Sequence, residues 1–177
     1  SPVANKYNAV AAYKRAIMKY IVSLPNVVKA LDYPDYDPDN PEELIGKVIL
    51  PYRRFVETVE EKHCYIMVRA GFPEMRLRDI KNAFVARATI QIFIVAHQDK
   101  IMMEDESLDI TRIDYIDGEI INGLATMANS EDRTWLGNFA LKSDLEDALD
   151  YKHICRVITL EGVDVNVAKF LSDTGDV

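Results

Sequence analysis

The stretch AFVARATIQIFIVAHQ, residues 83–98, alternates apolar and polar side chains in its first half and is apolar on both faces in its second half. Period-two alternation is typical of a β-strand with one wet face, and a continuous apolar run indicates that both faces are covered. The stretch is also long for a strand in a small domain. It therefore predicts a central strand that projects beyond its sheet or meets another subunit at one end.

Other stretches alternate in the same way and predict further strands: residues 63–71, 135–141 and 153–160. Turn-forming residues predict that the first of these ends at Gly71–Pro73 and that the last ends at Glu161–Gly162. After the strand predicted at residues 135–141, Ser143 and Asp144 predict the cap of a short helical turn.

Helices are predicted where apolar residues recur every three or four positions. The first spans Asn8–Leu24, and Ser23 is the candidate cap of a second, Pro25–Leu31. A third follows the long strand, with Asp109 as its N-cap and Leu108 as a hydrophobic staple. Its apolar stripe would cover the long strand and consists of Ile113, Ile116, Ile120, Leu124 and Met127.

These elements predict a single α+β domain over residues 1–177, with a mixed or antiparallel sheet flanked by helices. Its parts are an N-terminal helical segment (8–31), an acidic proline-rich loop (32–43), a sheet-and-helix core (44–168) and a mobile tail (169–177). The loop contains Pro34, Pro38 and Pro41, which exclude regular structure through its first half. One helical turn is expected after Asn40–Pro41.

Composition narrows the classes of function. The 177-residue chain is 49% apolar with a formal net charge of −8, which disfavours general binding to nucleic acid. No apolar run approaches the length of a membrane helix, and the N-terminus lacks the pattern of a signal peptide. We therefore expect a soluble protein made in the cytoplasm, with Cys64 and Cys155 as free buried thiols.

No constellation of residues predicts catalysis or a bound cofactor. The histidines His63, His97 and His153 stand at or near strands, without a further ligand at metal-binding spacing. The acidic run from Glu104 to Asp109 could serve a metal-dependent nuclease, yet no matching Lys or His is apparent. We expect no catalytic, metal-binding or cofactor-binding residue, with a small nuclease as the alternative from another class.

Charge is unevenly distributed along the chain. Between Arg53 and Arg87 there are eight basic and five acidic residues, so this block carries +3 and the remaining chain carries −11. Opposite charges on different faces suit head-to-tail contacts between copies in a ring. The block could equally be a solvated face, or the polar side of the long strand, with Thr89 and Gln91, could line a water-filled channel. The candidate contact residues are Arg69, Arg76, Arg78, Lys81 and Arg87.

Three segments carry a resemblance to a known family. They are ILPYRRFVETVEEKHCYI (residues 49–66), ATIQIFIVAH (88–97) and DITRID (109–114). In this order they resemble the tail-terminator and neck-completion proteins of long-tailed bacteriophages. The sequence departs from the family pattern at Phe55–Glu57, where a proline is expected.

The resemblance implies a ring, commonly of six copies, on the head-proximal end of the tail tube. The ring would stop tube polymerisation and present a docking surface to the head. Its implied partners are further copies of the chain, the tail tube protein and a neck or head-completion protein, without a membrane and with genomic DNA only passing through the channel. A head-closure adaptor, or a minor tail or tube protein of the same particle, is the alternative.

The resemblance also bears on individual residues and on location. It implies that Arg112 and Asp114 are structural or interfacial, and it makes the tail tube a second possible partner for the basic residues. The expected location is the neck of the virion, after assembly in the host cytoplasm.

Overall fold

The computed structural model describes residues 9–53, 62–78, 83–104, 109–128 and 138–166. Three α-helices are present in these ranges: α1 (Ala9–Val22), α2 (Pro25–Leu31) and α3 (Arg112–Ala128). The strands are β1 (Ile49–Leu50), β2 (Cys64–Arg78), β3 (Ala83–His97), β4 (Asn138–Ala148) and β5 (His153–Asn166). Short 3₁₀ turns lie at Pro41–Leu44 and Gln98–Lys100.

The strands form one open, mixed sheet in the order β1-β2-β3-β5-β4. β1 runs parallel to β2, whereas each remaining neighbouring pair is antiparallel. The predicted α+β class with a mixed sheet is therefore confirmed. β3 does not project alone, because β2 pairs with residues 83–96 and β5 with residues 85–97. The neighbouring strands are nearly as long as β3 and accompany it to both ends.

The turns predicted within β2 and β5 are wrong. Both strands continue through these positions, and the ladders shift register there instead, between Gly71 and Glu74 on β2 and opposite Ala86–Ala88 for β5. A bulge accommodates extra residues without ending a strand, and Gly and Pro are tolerated at such positions. The residues that signalled turns in the sequence therefore mark bulges in the sheet.

The helical turn predicted at Ser143 and Asp144 is also wrong. Both residues belong to β4, where they pair with Thr159 and Ile158 of β5. Cross-strand pairing overrides the local preference of these polar residues for a helix cap. The predicted strand 135–141 overlaps β4 from residue 138 onward, and its first three residues lie outside the described part of the chain.

The helix predictions are largely confirmed, although two caps differ. α2 has the predicted bounds, but the Ser23 hydroxyl donates to the Tyr20 carbonyl oxygen and Leu24 occupies the N-cap position. At α3, Thr111 Oγ1 accepts a hydrogen bond of 3.2 Å from the Asp114 backbone N–H, so Thr111 rather than Asp109 is the cap. The predicted staple Leu108, residue Asn8 and the tail 169–177 lie outside the described residues.

The core lies between the sheet and a single layer of helices. α1 contacts β2, α3 contacts β3 and β5, and α2 contacts both other helices. Ile90, Ile92 and Ile94 of β3 are almost fully buried. The predicted stripe of α3 is confirmed at Ile113, Ile116, Ile120 and Leu124, which are all buried, while Met127 is half-buried. Within the described ranges no helix is both long and apolar enough to cross a membrane.

Candidate interaction surfaces

The predicted basic residues lie on the two long neighbouring strands. Arg69, Arg76 and Arg78 belong to β2 and Arg87 to β3, whereas Lys81 lies outside the described residues. Arg69, Arg76 and Arg87 are exposed. The sheet therefore brings most of the block together along β2 and β3.

Two of these arginines have acidic neighbours within the chain. The Arg76 guanidinium contacts Glu74, and that of Arg87 contacts Glu161 on β5. Lys142 on β4 also lies 3.4 Å from Glu161. The Arg87 guanidinium holds the pKa of Glu161 below its ordinary value. Exposed ion pairs of this kind stabilise a fold by little, so the arginines can exchange partners at low cost.

A row of polar residues crosses the sheet on the face opposite the helices. In register, Arg69 pairs with Gln91, Gln91 with Thr159, and Thr159 with Ser143. These side chains are half-buried or exposed, in contrast to the isoleucines on the helix side of β3. Nearer the end of β3 the same face is covered, since the Arg53 guanidinium lies 5.4 Å from the centroid of the buried Phe93 ring.

The strand β4 forms one edge of the sheet and was only partly predicted from the sequence. Among the described strands, its one neighbour is β5. Glu146 and Asp147 are exposed, and the apolar Leu141 and Leu145 are 49% and 64% exposed. Large apolar side chains on an open edge strand are unusual for an isolated chain, because such an edge can pair with another one.

Asp114 takes part in an acidic cluster between α3 and the sheet. Arg156 Nε donates to Asp114 Oδ1 at 2.8 Å, and its Nη1 donates to Asp144 Oδ1 at 3.1 Å. Asp117 is buried beside this group, and its Oδ2 finds no hydrogen-bond partner among the described residues. Burial and the adjacent Asp144 carboxyl raise the pKa of Asp117 to about 7. Arg156 thus neutralises two of the three carboxylates and joins α3 to β4 and β5.

Arg112 is buried inside the chain, with only 3% of its surface exposed. Its guanidinium donates to backbone carbonyl oxygens of Lys100, Ala30 and Met102. Those carbonyls belong to the end of α2 and to the segment after β3. Arg112 therefore connects the start of α3 to both elements.

The fold places two histidines together that sequence reasoning treated as separate. His97 and His153 pair in register at the ends of β3 and β5, and their ring centroids are 5.1 Å apart. Asp150 Oδ1 lies 3.0 Å from His153 Nδ1, while the Asp99 backbone N–H donates to His97 Nδ1 at 3.1 Å. Burial and the neighbouring His153 lower the pKa of His97, which keeps this imidazole neutral.

Groups for metal or thiol chemistry are not assembled in the described ranges. No set of three or more His, Cys, Asp or Glu side chains there could hold a metal ion. Cys64 and Cys155 are free and buried, as predicted, and burial raises the pKa of the Cys64 thiol to about 12. Of the acidic run at Glu104–Asp109, the structure describes the exposed Glu104 and Asp109.

These features define an α+β protein whose open sheet carries helices on one side and presents a polar surface on part of the other. A protein-family model named YomW matches residues 25–161, so the chain belongs to the YomW family. A comparison with curated proteins finds no match.

Proposed function

We propose that the protein is a structural component of a bacteriophage neck, where copies form a ring on the head-proximal end of the tail tube. The ring ends tube polymerisation and offers a docking surface for the head. The three segments that resemble tail-terminator and neck-completion proteins are the first support for this role, and residues of all three lie in the long sheet or at the start of α3.

The polar row on the face of the sheet opposite the helices is the observation that carries the proposal. In an isolated domain a long sheet is stabilised by burying one face, and its other face is free to meet water. Arg69, Gln91, Thr159 and Ser143 give this face uncharged and positively charged groups, without a wide apolar patch at that level. Such a surface suits the wall of a hydrated channel through which DNA passes.

The helix layer fits the outer side of the same arrangement. α3 packs on the face of the sheet that contains Ile90, Ile92 and Ile94, and the other two helices contact it or each other on the same side, so the helices would point away from the channel. The mechanism is geometric rather than chemical: a bound ring occupies the growing end of the tube and replaces its addition site with a different surface. The same arguments apply to a head-closure adaptor, which would differ in its partner.

The test is negative-stain imaging of the purified protein mixed with tail tubes assembled from the tube protein of its own particle. We expect density at one end of each tube and a narrow distribution of tube lengths. Tubes incubated with an unrelated acidic protein serve as the control and should continue to elongate. Uncapped tubes of unrestricted length would contradict the proposal.

A nuclease would behave differently in a second assay. Titration of the protein with Mg²⁺ and Mn²⁺, followed by incubation with supercoiled plasmid, should give neither metal binding at Glu104 and Asp109 nor cleavage. Cleavage that is lost in the variant E104Q/D109N would replace the structural role by the enzymatic one.

A further inference from the structure

We propose that the free edge of β4 in one copy pairs with the free edge of β2 in the next copy, so that neighbouring sheets join edge to edge. This inference rests on the proposed ring-forming role and names the surface that joins the subunits. Its occupant is a second copy of this chain.

Among the described residues, no strand pairs with the outer edge of β4. Its 11 residues pair with β5 on one side, and no other described strand lies on the other side. Backbone N–H and C=O groups that point away from β5 are therefore available for another strand. A strand paired there would bury part of the exposed apolar surface of Leu141 and Leu145.

On the outer edge of β2, the described part of the chain provides only the two-residue strand β1. β1 pairs with Ile66 and Met67, and beyond them the described residues provide no partner for the outer side of β2 as far as Arg78. This part of β2, which no other described strand accompanies on its outer side, is as long as β4, since it runs from Val68 to Arg78. It also carries Met75, which is 47% exposed.

Charge decides which edges can meet. β4 contains Asp144, Glu146 and Asp147 with one lysine, Lys142, which gives a net charge of −2. The part of β2 from Val68 to Arg78 contains three arginines (Arg69, Arg76 and Arg78) and Glu74, which gives +2. Like charges opposite each other destabilise a strand pair and opposite charges stabilise it.

Contact between β4 and β2 is therefore favoured over contact between two β4 edges. Pairing of unlike edges is head-to-tail, and head-to-tail contacts generate rings when the rotation closes. An isologous dimer through β4 would instead place acidic side chains against acidic side chains.

Strand direction agrees with this arrangement. β2, β3, β5 and β4 are successively antiparallel, so β2 and β4 run in opposite directions within one chain. A copy rotated about an axis roughly parallel to the strands would present its β2 antiparallel to β4, which is the commoner ladder. Every copy would then keep its helices on one side and its polar row on the other.

Charge-reversed variants test the pairing. E146K/D147K reverses the β4 edge and R69E/R76E reverses the β2 edge. E42K/D109K and K19E/K29E make the same changes of charge at exposed positions away from both edges. Circular dichroism verifies folding, and sedimentation velocity measures association up to millimolar concentration. We expect the wild type and both controls to associate and each edge variant to lose at least about tenfold in affinity.

Mixing separates this pairing from other modes of association. An equimolar mixture of E146K/D147K and R69E/R76E should regain association, because the reversed β4 of one variant meets the reversed β2 of the other. Association of E146K/D147K with wild type, without any effect of R69E/R76E, would show β4–β4 pairing and overturn the inference. A wild type that stays monomeric at all concentrations would also overturn it.

Failure of this inference is distinguishable from failure of the proposed function. If both edge variants form rings on tail tubes as well as the wild type does, the edge pairing is refuted and the neck role stands. Association that follows the predicted charge pattern, together with uncapped tubes, would preserve the pairing and refute the neck role.

Discussion

The Tyr20 side chain of α1 lies directly against Gly123 of α3, and its hydroxyl donates a hydrogen bond of 3.0 Å to the Ile120 carbonyl oxygen. A Cβ added at Gly123 would collide with that hydroxyl and would lie 3.1 Å from a methyl carbon of Leu24. The two helices can therefore approach this closely because position 123 has no side chain. Burial raises the pKa of the Tyr20 hydroxyl well above its ordinary value, so it remains a donor.

We predict that Gly123→Ala destabilises the fold by about 1–3 kcal/mol, because the Tyr20 ring must move and its hydrogen bond lengthens. Thermal and urea unfolding measure the loss. Gly118→Ala on the same helix is the matched control, since a Cβ there meets nothing within 4 Å. It should be neutral or should stabilise by up to about 1 kcal/mol. Equal effects of the two substitutions would refute the close contact.

The buried carboxyl of Asp117 predicts a dependence of stability on pH. Its pKa is raised from 3.8 to about 7 in the folded chain, so the folded state holds the proton more tightly than the unfolded state. The resulting stabilisation is complete below about pH 4 and is lost as the pH rises through about 7.

Asp117→Asn should remove this dependence. We expect the variant to be more stable than wild type above pH 7 and to show little gain at pH 4, as measured by urea unfolding across the range. Asp109→Asn, at an exposed position just before α3, should leave the wild-type profile unchanged. A parallel profile for wild type and Asp117→Asn would contradict the assignment.

Arg112 should tolerate no substitution. Arg112→Ala leaves three carbonyl oxygens without their donor, and Arg112→Lys cannot reproduce the planar fork that reaches them. We predict losses of about 3 kcal/mol or more in urea unfolding for both variants. Arg69→Ala, at an exposed position of β2, provides the comparison and should change stability by less than about 0.5 kcal/mol. A mild effect of Arg112→Lys would mean that charge alone suffices.

The two thiols should be unreactive in the folded protein. Burial raises the pKa values of both Cys64 and Cys155, so little thiolate exists at neutral pH and a reagent cannot reach the sulfur atoms. Ellman's reagent should label neither residue at a measurable rate under native conditions and both rapidly in urea. Rapid native labelling of the Cys155→Ser variant would show that Cys64 is accessible.

The parts of the fold that could be predicted are those with a local signal. β3 was recognised because its alternating first half passes directly into an apolar run without a turn residue, and α2 because Pro25 marks its first turn. β4 was recognised only in part because its second half, SDLEDA, is an exposed edge whose polar residues carry no alternation toward a core. This half is a strand because it pairs with β5, and that pairing cannot be deduced from the local sequence pattern.

For the candidate surfaces too, the sequence predicts the features with a local signal and misses those that depend on strand pairing. The basic character of residues 53–87 is evident in the sequence, but the opposite acidic edge appears only when strand order places β4 at the far side of the sheet. The pairing of His97 with His153 depends on the register of strands that are separated in the chain. Arg112 was selected from the sequence through a family resemblance. Its burial could not be predicted, because it depends on where the fold places three backbone carbonyl groups.

The bulges in β2 and β5 have a consequence for the phase of the side chains. In β2, even-numbered residues such as Ile66 and Val68 pair with the helix-side residues of β3 before the bulge, whereas Met75 pairs with the helix-side Ala86 after it. In β5 the helix side likewise passes from Leu160 to the fully buried Val165. The bulges therefore keep the side chains of β2 and β5 in phase with those of β3 along its whole length. Because each bulge contains one extra residue, deletion of a single residue there would restore a regular ladder and leave the later side chains on their present faces, whereas the same deletion in a strand without a bulge would turn its remaining length over.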